Sequence, residues 1–129
     1  MKKFKAIALL AVGLLFSSGG GAYATSNDSG DSIRIIKTYQ AKVSWYKHGK
    51  KTANGERFNS NNLTVAHKTI PFGTIIRFTN LDTGHSIIAR VNDRGPYIKG
   101  REFDVSMRSA EFLGIKNIGV SQVKVEIFR

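Results

Sequence analysis

The distribution of apolar side chains along the chain predicts a protein built mainly of β-strands. In the segment Tyr39–Trp45, large or apolar side chains alternate with polar ones, which is the pattern of a half-buried strand. The segment Ser121–Arg129 repeats this pattern at the end of the sequence, with Val123, Val125 and Ile127 on one face. Both segments are therefore predicted to be strands with one face on a core.

A β-hairpin is predicted in the middle of the chain. Residues 74–81 and 86–92 are two runs rich in β-branched side chains, and the short segment Asp82–His85 separates them. Gly84 in this connection can adopt the positive φ that a tight turn needs. We therefore expect the two runs to pair as antiparallel neighbours.

One short helix is predicted between the later strands. Ser106 can serve as its N-cap and Gly114 can end it, and the apolar positions between them form a stripe: Met107, Ala110, Phe112 and Leu113. Many short strands, one short helix and no internal repeat together favour a small closed β-barrel with long crossing loops.

The N-terminus has the pattern of a secretory signal peptide over residues 1–24. The segment Met1–Lys5 is basic, Ala6–Phe16 is apolar, and Ala22-Tyr23-Ala24 is an A-x-A cleavage pattern. The apolar run is too short to span a bilayer comfortably, and no other segment has a transmembrane pattern. We expect a bacterial protein that is exported to the periplasm, the cell wall or the outside of the cell.

Residues 25–38 are predicted to be a flexible N-terminal segment that precedes a single domain over residues 39–129. The first half of the segment is rich in Ser, Asn, Asp and Gly, which is typical of a disordered spacer. The second half, Ile33–Lys37, is also compatible with an extra strand or arm.

The mature chain is basic and has no cysteine. Removal of the signal peptide leaves 17 basic and 9 acidic side chains, a net charge of +8. A basic exported protein suits an anionic cell wall, a membrane surface or nucleic acid, and charge alone does not choose among them. No recognisable nucleic-acid-binding motif accompanies the charge, so we expect no nucleic-acid partner. Without disulfides, stability must come from the core.

Three residues are candidates for chemistry, although each also has a simpler structural explanation. Asp93 ends an apolar run and precedes Arg94 and the Gly95-Pro96 turn, and alone it is more typical of a turn-forming residue. Glu56 follows an Asn-Gly turn, and most such carboxylates are merely solvated. His67 follows a short apolar stretch, where a lone histidine is more often structural.

No metal or cofactor is expected. The three histidines, His48, His67 and His85, have no ligand spacing and no cysteine partners.

Six motifs in one order give the chain a resemblance to the RlpA (rare lipoprotein A) family. They are Ser44-Trp45-Tyr46, Thr52-Ala53-Asn54-Gly55-Glu56, Leu63-Thr64-Val65-Ala66-His67, Pro71-Phe72-Gly73-Thr74, Val91-Asn92-Asp93-Arg94-Gly95-Pro96 and Phe103-Asp104-Val105-Ser106. The resemblance implies a six-stranded double-psi β-barrel with one or two short helices, related to expansin and barwin domains. It also implies lytic transglycosylase activity on peptidoglycan, with a preference for glycan strands that lack stem peptides.

The resemblance also implies roles for the three candidates. Asp93 falls on the essential aspartate of the family and is assigned the acid/base role. Glu56 falls on its important glutamate, which would polarise the sugar, stabilise the positive transition state or hold the proton of Asp93. His67 falls on its histidine and would orient one carboxylate. Asn59 departs from the pattern, because many members carry an aspartate there.

Further residues near the motifs are candidates for binding the glycan: Trp45, Tyr46, Asn59, Arg94, Tyr97 and Asp104. The three aromatic residues would form a sugar platform, although core packing is an equal alternative for Trp45. Arg94 would oppose protonation of Asp93 if it pointed inward, so we expect it to point away or to contact a substrate oxygen or the backbone. Asp104 would line the cleft, cap the helix or pair with Arg101.

The sequence therefore leaves two alternative functions. The first is a lytic transglycosylase that cleaves the bond between N-acetylmuramic acid and N-acetylglucosamine and leaves 1,6-anhydromuramoyl ends. The second is a noncatalytic, expansin-like barrel that grips wall glycan without cutting it. Retention of Glu56 and Asp93 favours the enzyme, and Asn59 favours the binder. In both cases the expected partner is the peptidoglycan glycan strand, bound by a monomer peripheral to the wall.

Overall fold

A computed structural model describes residues 32–129, and six strands in this part of the chain form a closed barrel. The elements are β1 (Ile35–Tyr46), β2 (Thr64–Ala66), β3 (Ile75–Thr79), β4 (Ser86–Asp93), β5 (Phe103–Ser106), helix α1 (Met107–Leu113) and β6 (Ser121–Phe128). Around the barrel the strands follow the order β1-β5-β2-β4-β3-β6. The predicted mostly-β barrel with a short helix is confirmed. The predicted signal peptide over residues 1–24 lies outside the described residues.

The predicted hairpin is strands β3 and β4. These strands pair antiparallel, with Ile76 opposite Ala89 and Phe78 opposite Ile87. Gly84 in the connection has a φ of 80°, which a residue with a Cβ rarely adopts. The hairpin prediction is therefore confirmed.

Strand β1 begins earlier than the predicted domain boundary at Tyr39. Its first residues pair with the end of β6, with Ile35 opposite Phe128 and Lys37 opposite Ile127. Backbone pairing thus makes residues 35–38 part of the barrel wall, which agrees with the predicted alternative of a strand at Ile33–Lys37 and not with a flexible segment.

The core fills the inside of the barrel with apolar side chains from all six strands. Phe78 and Phe103 are fully buried and meet edge to face, with ring centroids 5.1 Å apart. Complete burial of a Val, Ile or Phe side chain contributes about 1.5–3 kcal/mol, so this core can stabilise a domain without disulfides. Helix α1 adds Ala110 and Leu113 to the same core.

The ends of helix α1 match the sequence prediction. The Ser106 side chain accepts a hydrogen bond from the Ser109 backbone N–H, and Gly114 closes the helix with a φ of 82°. Among the described residues, no helix has the length and apolar character needed to cross a membrane.

The strand register places a row of side chains on the side of the barrel wall that faces away from the core. Ser44 on β1 lies opposite Asp104 on β5, and Ala66 on β2 lies opposite both Asp104 and Asp93 on β4. The neighbours of Ser44, Asp104 and Ala66 along their strands belong to the core, so these three side chains face outward. An irregularity between β2 and β4 brings Asp93 into the row.

Candidate active site

Asp93 lies at the end of β4, and three hydrogen bonds fix its carboxylate. Tyr46 Oη donates to Oδ2 at 2.9 Å, and the backbone N–H groups of Ala53 and Arg94 donate to Oδ1 at 2.9 Å each. These donors come from β1, from the loop that follows it and from the turn after β4. Three separate parts of the fold thus hold one carboxylate in place.

Tyr46 belongs to an aromatic pair beside this carboxylate. Its ring stacks on Phe58, with centroids 4.7 Å apart and planes 19° apart. Burial, together with the negative charges of Asp93 and Asp104, raises the pKa of the Tyr46 phenol well above its ordinary range. The phenol therefore stays protonated and donates a hydrogen bond to Asp93. Phe58 was not among the residues predicted to form the site.

Asp104 is a second carboxyl group close to Asp93. Burial raises the pKa of Asp104, and the charge of Asp93 acts in the same direction, against the hydrogen bond from Ser44 and the charge of Arg101. Ser44 Oγ donates to Asp104 Oδ1 at 3.0 Å. Of its three predicted roles, helix capping is wrong, because the Ser106 hydroxyl caps α1. Within residues 32–129 Asp104 forms no ion pair with Arg101, so its outward position beside Asp93 fits lining the cleft.

Glu56 is held in a different way, by cationic and amide donors. Arg90 donates to it with Nη1 to Oε2 at 2.8 Å and Nη2 to Oε1 at 3.1 Å, and Asn92 Nδ2 donates to Oε1 at 3.1 Å. The hydrogen bonds from Arg90, followed by those from Asn92 and Asn54, lower the pKa of Glu56 to about 2. Glu56 is therefore ionised at neutral pH, which argues against the predicted alternative that it holds the proton of Asp93.

Arg90 is a site residue that the sequence reasoning missed. It shares with Asn92 the side of β4 opposite the core residues Ala89 and Val91. The alternation in Ala-Arg-Val-Asn was visible in the sequence and was the signal that could have placed Arg90 beside Asn92.

His67 contacts a carboxylate that was not predicted. Its Nδ1 accepts hydrogen bonds from the backbone N–H groups of Thr69 and Ile70 at 3.0 Å, so the proton of the neutral ring is on Nε2. Nε2 lies 3.3 Å from Glu102 Oε2, which also accepts a 2.6 Å bond from Tyr39 Oη. Burial lowers the pKa of His67, against the opposing effect of Glu102.

This network separates the His67 ring from the other two predicted catalytic side chains. The ring orients Glu102 rather than Glu56 or Asp93, and it packs on Phe103 with centroids 4.8 Å apart. Its link to Asp93 is through the backbone, from the His67 N–H to the Asp93 carbonyl at 3.2 Å. Glu102 and Tyr39 are 63 residues apart in sequence, so no local pattern pointed to their contact.

Arg94 points away from the Asp93 carboxylate, as predicted. Its Nη1 donates to the backbone carbonyls of His67 at 3.2 Å and Ile70 at 2.8 Å, and its guanidinium lies 3.9 Å from the centre of the Phe72 ring. Arg94 thus connects the turn that follows Asp93 to the segment after β2 by side-chain hydrogen bonds.

Trp45 is not brought to the site. It packs against the core, and its Nε1 donates to the carbonyl of Lys116 at 3.1 Å. Strand alternation puts Trp45 on the same side of β1 as Val43, opposite Tyr46. The core-packing alternative describes it better than the predicted sugar platform.

The two remaining predicted binding residues are exposed. The Asn59 side chain accepts a bond from the Asn61 N–H at 2.9 Å, which is a local turn contact. Tyr97 is 76% exposed in the segment after the Gly95-Pro96 turn. Among residues 32–129, no group of three or more His, Asp or Glu side chains is arranged to hold a metal ion.

The closed six-stranded barrel places the chain in the class of double-psi β-barrels. One solved structure of this class, an expansin from Clavibacter michiganensis, superposes with a TM-score of 0.60 and 17% identity, over 72% of this chain and 51% of the expansin. The chain belongs to a particular family within this class, because residues 38–125 match the sequence model described as lytic transglycolase.

Two curated relatives refine this assignment. A probable endolytic peptidoglycan transglycosylase RlpA from Synechocystis is 48% identical over 101 residues, covering 75% of this chain and 32% of the relative. The endolytic peptidoglycan transglycosylase RlpA of Rickettsia felis is 52% identical over 90 residues, covering 65% of this chain and 40% of the relative. The chain thus spans between about a third and two fifths of the length of these relatives.

Proposed function

We propose that this protein is a peptidoglycan lytic transglycosylase that cuts glycan strands between N-acetylmuramic acid and N-acetylglucosamine. The observation that carries the proposal is the carboxylate of Asp93, fixed by three donors beside Asp104 on the side of the barrel wall that faces away from the core. The names of the relatives, endolytic peptidoglycan transglycosylase, support the same reaction.

The reaction needs one carboxyl group that first gives a proton and then takes one. Protonation of the glycosidic oxygen lets the bond from that oxygen to the muramoyl C1 break. The C6 hydroxyl of the same sugar attacks C1, and the carboxylate accepts the hydroxyl proton. The products are a 1,6-anhydromuramoyl end and a free 4-hydroxyl on N-acetylglucosamine, and no water is consumed. In our proposal Asp93 is the group that transfers both protons.

Asp104 and Tyr46 support Asp93 in this role. The negative charge of Asp93 opposes ionisation of Asp104. Burial raises the pKa of Asp104, so Asp104 can hold a proton and pass it to Asp93, which then gives it to the glycosidic oxygen. The Tyr46 phenol donates to Asp93 Oδ2 and keeps the carboxyl group in one orientation.

Glu56 contributes a fixed negative charge in this mechanism. The transition state at C1 is positively charged, and an ionised carboxylate nearby stabilises it. Arg90 and Asn92 hold Glu56 ionised and in one position, which fits this role and not proton transfer.

Exposed aromatic rings near Asp93 supply the sugar platform. Tyr97 follows the Gly95-Pro96 turn with most of its ring exposed, and the half-buried rings of Tyr46 and Phe58 stack beside the carboxylate. Aromatic rings offer large apolar contact faces, which match the apolar faces of pyranose rings.

The direct test is incubation of the mature protein with glycan strands that lack stem peptides, followed by mass spectrometry of the products. We expect 1,6-anhydromuramoyl ends from the wild type and none from Asp93→Asn. Wild-type turnover by Asp93→Asn would show that the acid/base assignment is wrong.

The alternative is a noncatalytic barrel that holds wall glycan, and Asn59 is the observation that favours it. A third carboxylate is missing at this position, and the Asn59 amide oxygen is used in a local turn. Retained binding of glycan without any anhydro product would establish this alternative.

The substrate also implies a location. Peptidoglycan lies outside the cytoplasmic membrane, so we infer that the protein is exported and works as a monomer on the wall. Cell fractionation with an antibody against the mature chain tests the location, and recovery in the cytoplasm would contradict it.

A further inference from the structure

An apolar groove on the barrel has no part in the proposed reaction. Its volume is about 730 Å³, and its lining includes six isoleucines, two phenylalanines and no acidic residue. Several of these side chains are in contact with water, since Ile36 is 48%, Phe72 41% and Ile88 51% exposed. Exposed apolar side chains that lie together on a protein surface commonly mark a binding site.

The apolar surface continues beyond this groove. Ile88 also lines a second depression together with Leu63 and Phe112, which are 38% and 55% exposed. We call the lining of the two depressions the apolar face. A site for a small ligand encloses most of that ligand in one concave pocket, so an extended face of this kind fits a larger partner better.

Arginines lie over the three aromatic rings of the apolar face. The distances from the guanidinium carbon to the ring centre are 3.9 Å for Arg94 and Phe72, 5.4 Å for Arg77 and Phe128, and 5.7 Å for Arg108 and Phe112. Each pair combines an apolar ring with a cationic group. The same combination occurs at membrane interfaces, where the ring contacts the acyl chains and the cation stays among the headgroups.

Three further cations lie at the edge of the groove. Arg34 and Arg129 exchange backbone hydrogen bonds of 3.1 and 3.0 Å, and Arg129 lines the groove. Lys37 pairs across the sheet with Ile127, which is also a lining residue. All three cations are exposed, and within residues 32–129 none of them takes part in an ion pair. The edge of the groove therefore attracts an anionic partner.

The apolar lining and the cationic edge together indicate which partner fits. A second copy of the chain would bring the same cations together, because a symmetric contact joins the same surface on both copies, and like charges oppose it. A polysaccharide would bury hydroxyl groups against isoleucine side chains that cannot bond them. An anionic bilayer offers acyl chains for the lining and phosphate groups for the cations.

We propose that the apolar face docks on the surface of an anionic phospholipid membrane. Ile36, Phe72 and Ile88 enter the layer between the headgroups and the acyl chains, and the three cations at the edge of the groove contact lipid phosphates. The inference goes beyond the proposed function and does not depend on it. Neither Asp93 nor Tyr46 lines the apolar face, so docking does not use the residues of the proposed acid/base.

The test is flotation of the mature protein, which lacks the apolar segment of the signal peptide, with lipid vesicles. One set of vesicles contains phosphatidylglycerol mixed with phosphatidylcholine, and the other contains phosphatidylcholine alone. The apolar variant carries Ile36→Thr and Ile88→Thr. Its matched control carries Leu81→Thr and Ile118→Thr, which change two residues of similar exposure, 50% and 62%, outside the apolar face.

A second variant tests the cations separately. The charge variant carries Arg34→Gln, Lys37→Gln and Arg129→Gln. Its matched control carries Lys47→Gln, Lys50→Gln and Lys51→Gln, which remove the same charge from exposed positions in the loop after β1. The control measures how much of the binding comes from net charge alone.

We expect the mature protein to bind the anionic vesicles roughly tenfold more tightly than the neutral ones. The apolar variant and the charge variant should each bind the anionic vesicles roughly tenfold more weakly, and both controls should stay within about threefold of the unmodified protein. Absence of binding to the anionic vesicles would overturn the proposal. So would an apolar variant or a charge variant that binds as its own control does.

Sedimentation of the mature protein without lipid tests the second copy as the partner. A dimer that the apolar variant abolishes would assign the apolar face to that contact and overturn membrane docking, whereas a monomer is the expected result. An unchanged melting temperature of each variant shows that the fold is intact. If the apolar variant unfolds, the comparison of the charge variant with its lysine control decides.

Discussion

Asp104 and Glu56 are carboxylates in the same site, and their surroundings move their pKa values in opposite directions. Asp104 is surrounded by the barrel wall, and burial raises its pKa, with Asp93 adding to the effect. Glu56 faces Arg90 and Asn92, whose hydrogen bonds lower its pKa to about 2. The surroundings of Asp104 thus favour its protonated form, and those of Glu56 favour its ionised form.

The difference separates two chemical tasks. Sites that push the pKa values of neighbouring groups apart commonly use one as acid and the other as a fixed charge. Asp93 lies near both groups. Ala66 on β2 separates it from Asp104 on β5. Asn92, the residue before Asp93, donates a hydrogen bond to Glu56. In our account Asp93 exchanges protons on the Asp104 side and Glu56 supplies the negative charge.

The largest effect is expected for Asp93→Asn. Loss of the acid/base should lower the rate of anhydro-end formation by roughly 10²–10⁴-fold. The asparagine oxygen can still accept the backbone bonds from Ala53 and Arg94, so the melting temperature should change little. Asp82→Asn, an exposed aspartate in the β3–β4 connection, is the matched control and should keep the wild-type rate.

Asp104→Asn should separate activity from stability. A raised folded-state pKa means that the contribution of Asp104 to stability is fully present below its ordinary value of 3.8 and is lost as the pH rises through the raised pKa. At a pH above the raised pKa, where Asp104 is ionised, the substitution should therefore raise the melting temperature. The rate should fall by roughly 10–10²-fold, because the pair loses its proton-holding member. An unchanged rate would remove Asp104 from the mechanism.

Tyr46→Phe should have a smaller effect on rate. The variant loses the donor to Asp93 Oδ2 and keeps the stacking on Phe58, so we expect roughly tenfold slower turnover. Tyr39→Phe is a matched control, since it loses a bond to Glu102 in the network of His67. Equal slowing by both substitutions would contradict the role of the Tyr46 donor in catalysis.

The smallest effect is expected for Arg90→Gln. Without the guanidinium, the pKa of Glu56 should move from about 2 back towards its ordinary 4.5, measurable from the carbon-13 shift of its carboxyl group. In the wild type this group stabilises the fold fully above pH 4.5 and loses that contribution as the pH falls through about 2. The rate should fall roughly threefold, because Asn92 still holds one oxygen.

Arg77→Gln is the control for that variant. It breaks an ion pair of the same 2.8 Å length, to Glu126 at the pairing of β3 with β6. If the pKa of Glu56 stayed near 2 in Arg90→Gln, the opposing environments of Asp104 and Glu56 would need another explanation.

Short-range patterns in the sequence predicted much of the fold. Ser106 and Gly114 marked the helix because capping is decided by a few neighbouring residues. Gly84 marked the β3–β4 connection for the same reason. The start of β1 was misplaced because the pairing of Ile35 with Phe128 joins opposite ends of the domain, and a local pattern does not contain its partner.

The candidate site shows the same limit. The motifs pointed to Asp93 and Glu56, but the partners that set their chemistry come from other strands. Arg90 is 34 residues from Glu56, and Asp104 meets Asp93 through the register of β2 with β4 and β5. The contact of His67 with Glu102 likewise depends on the closed barrel, so the sequence predicted the residue types better than their pairing.

The most direct test of the central claim is cleavage of stripped glycan in water enriched in oxygen-18, with mass spectrometry of the new ends. If the Asp93 carboxyl group gives a proton to the leaving oxygen and takes one from the C6 hydroxyl, the new ends are 1,6-anhydromuramoyl and contain no oxygen-18. New reducing ends that carry oxygen-18 would show hydrolysis and contradict the mechanism. Intact, bound glycan would contradict the enzyme itself.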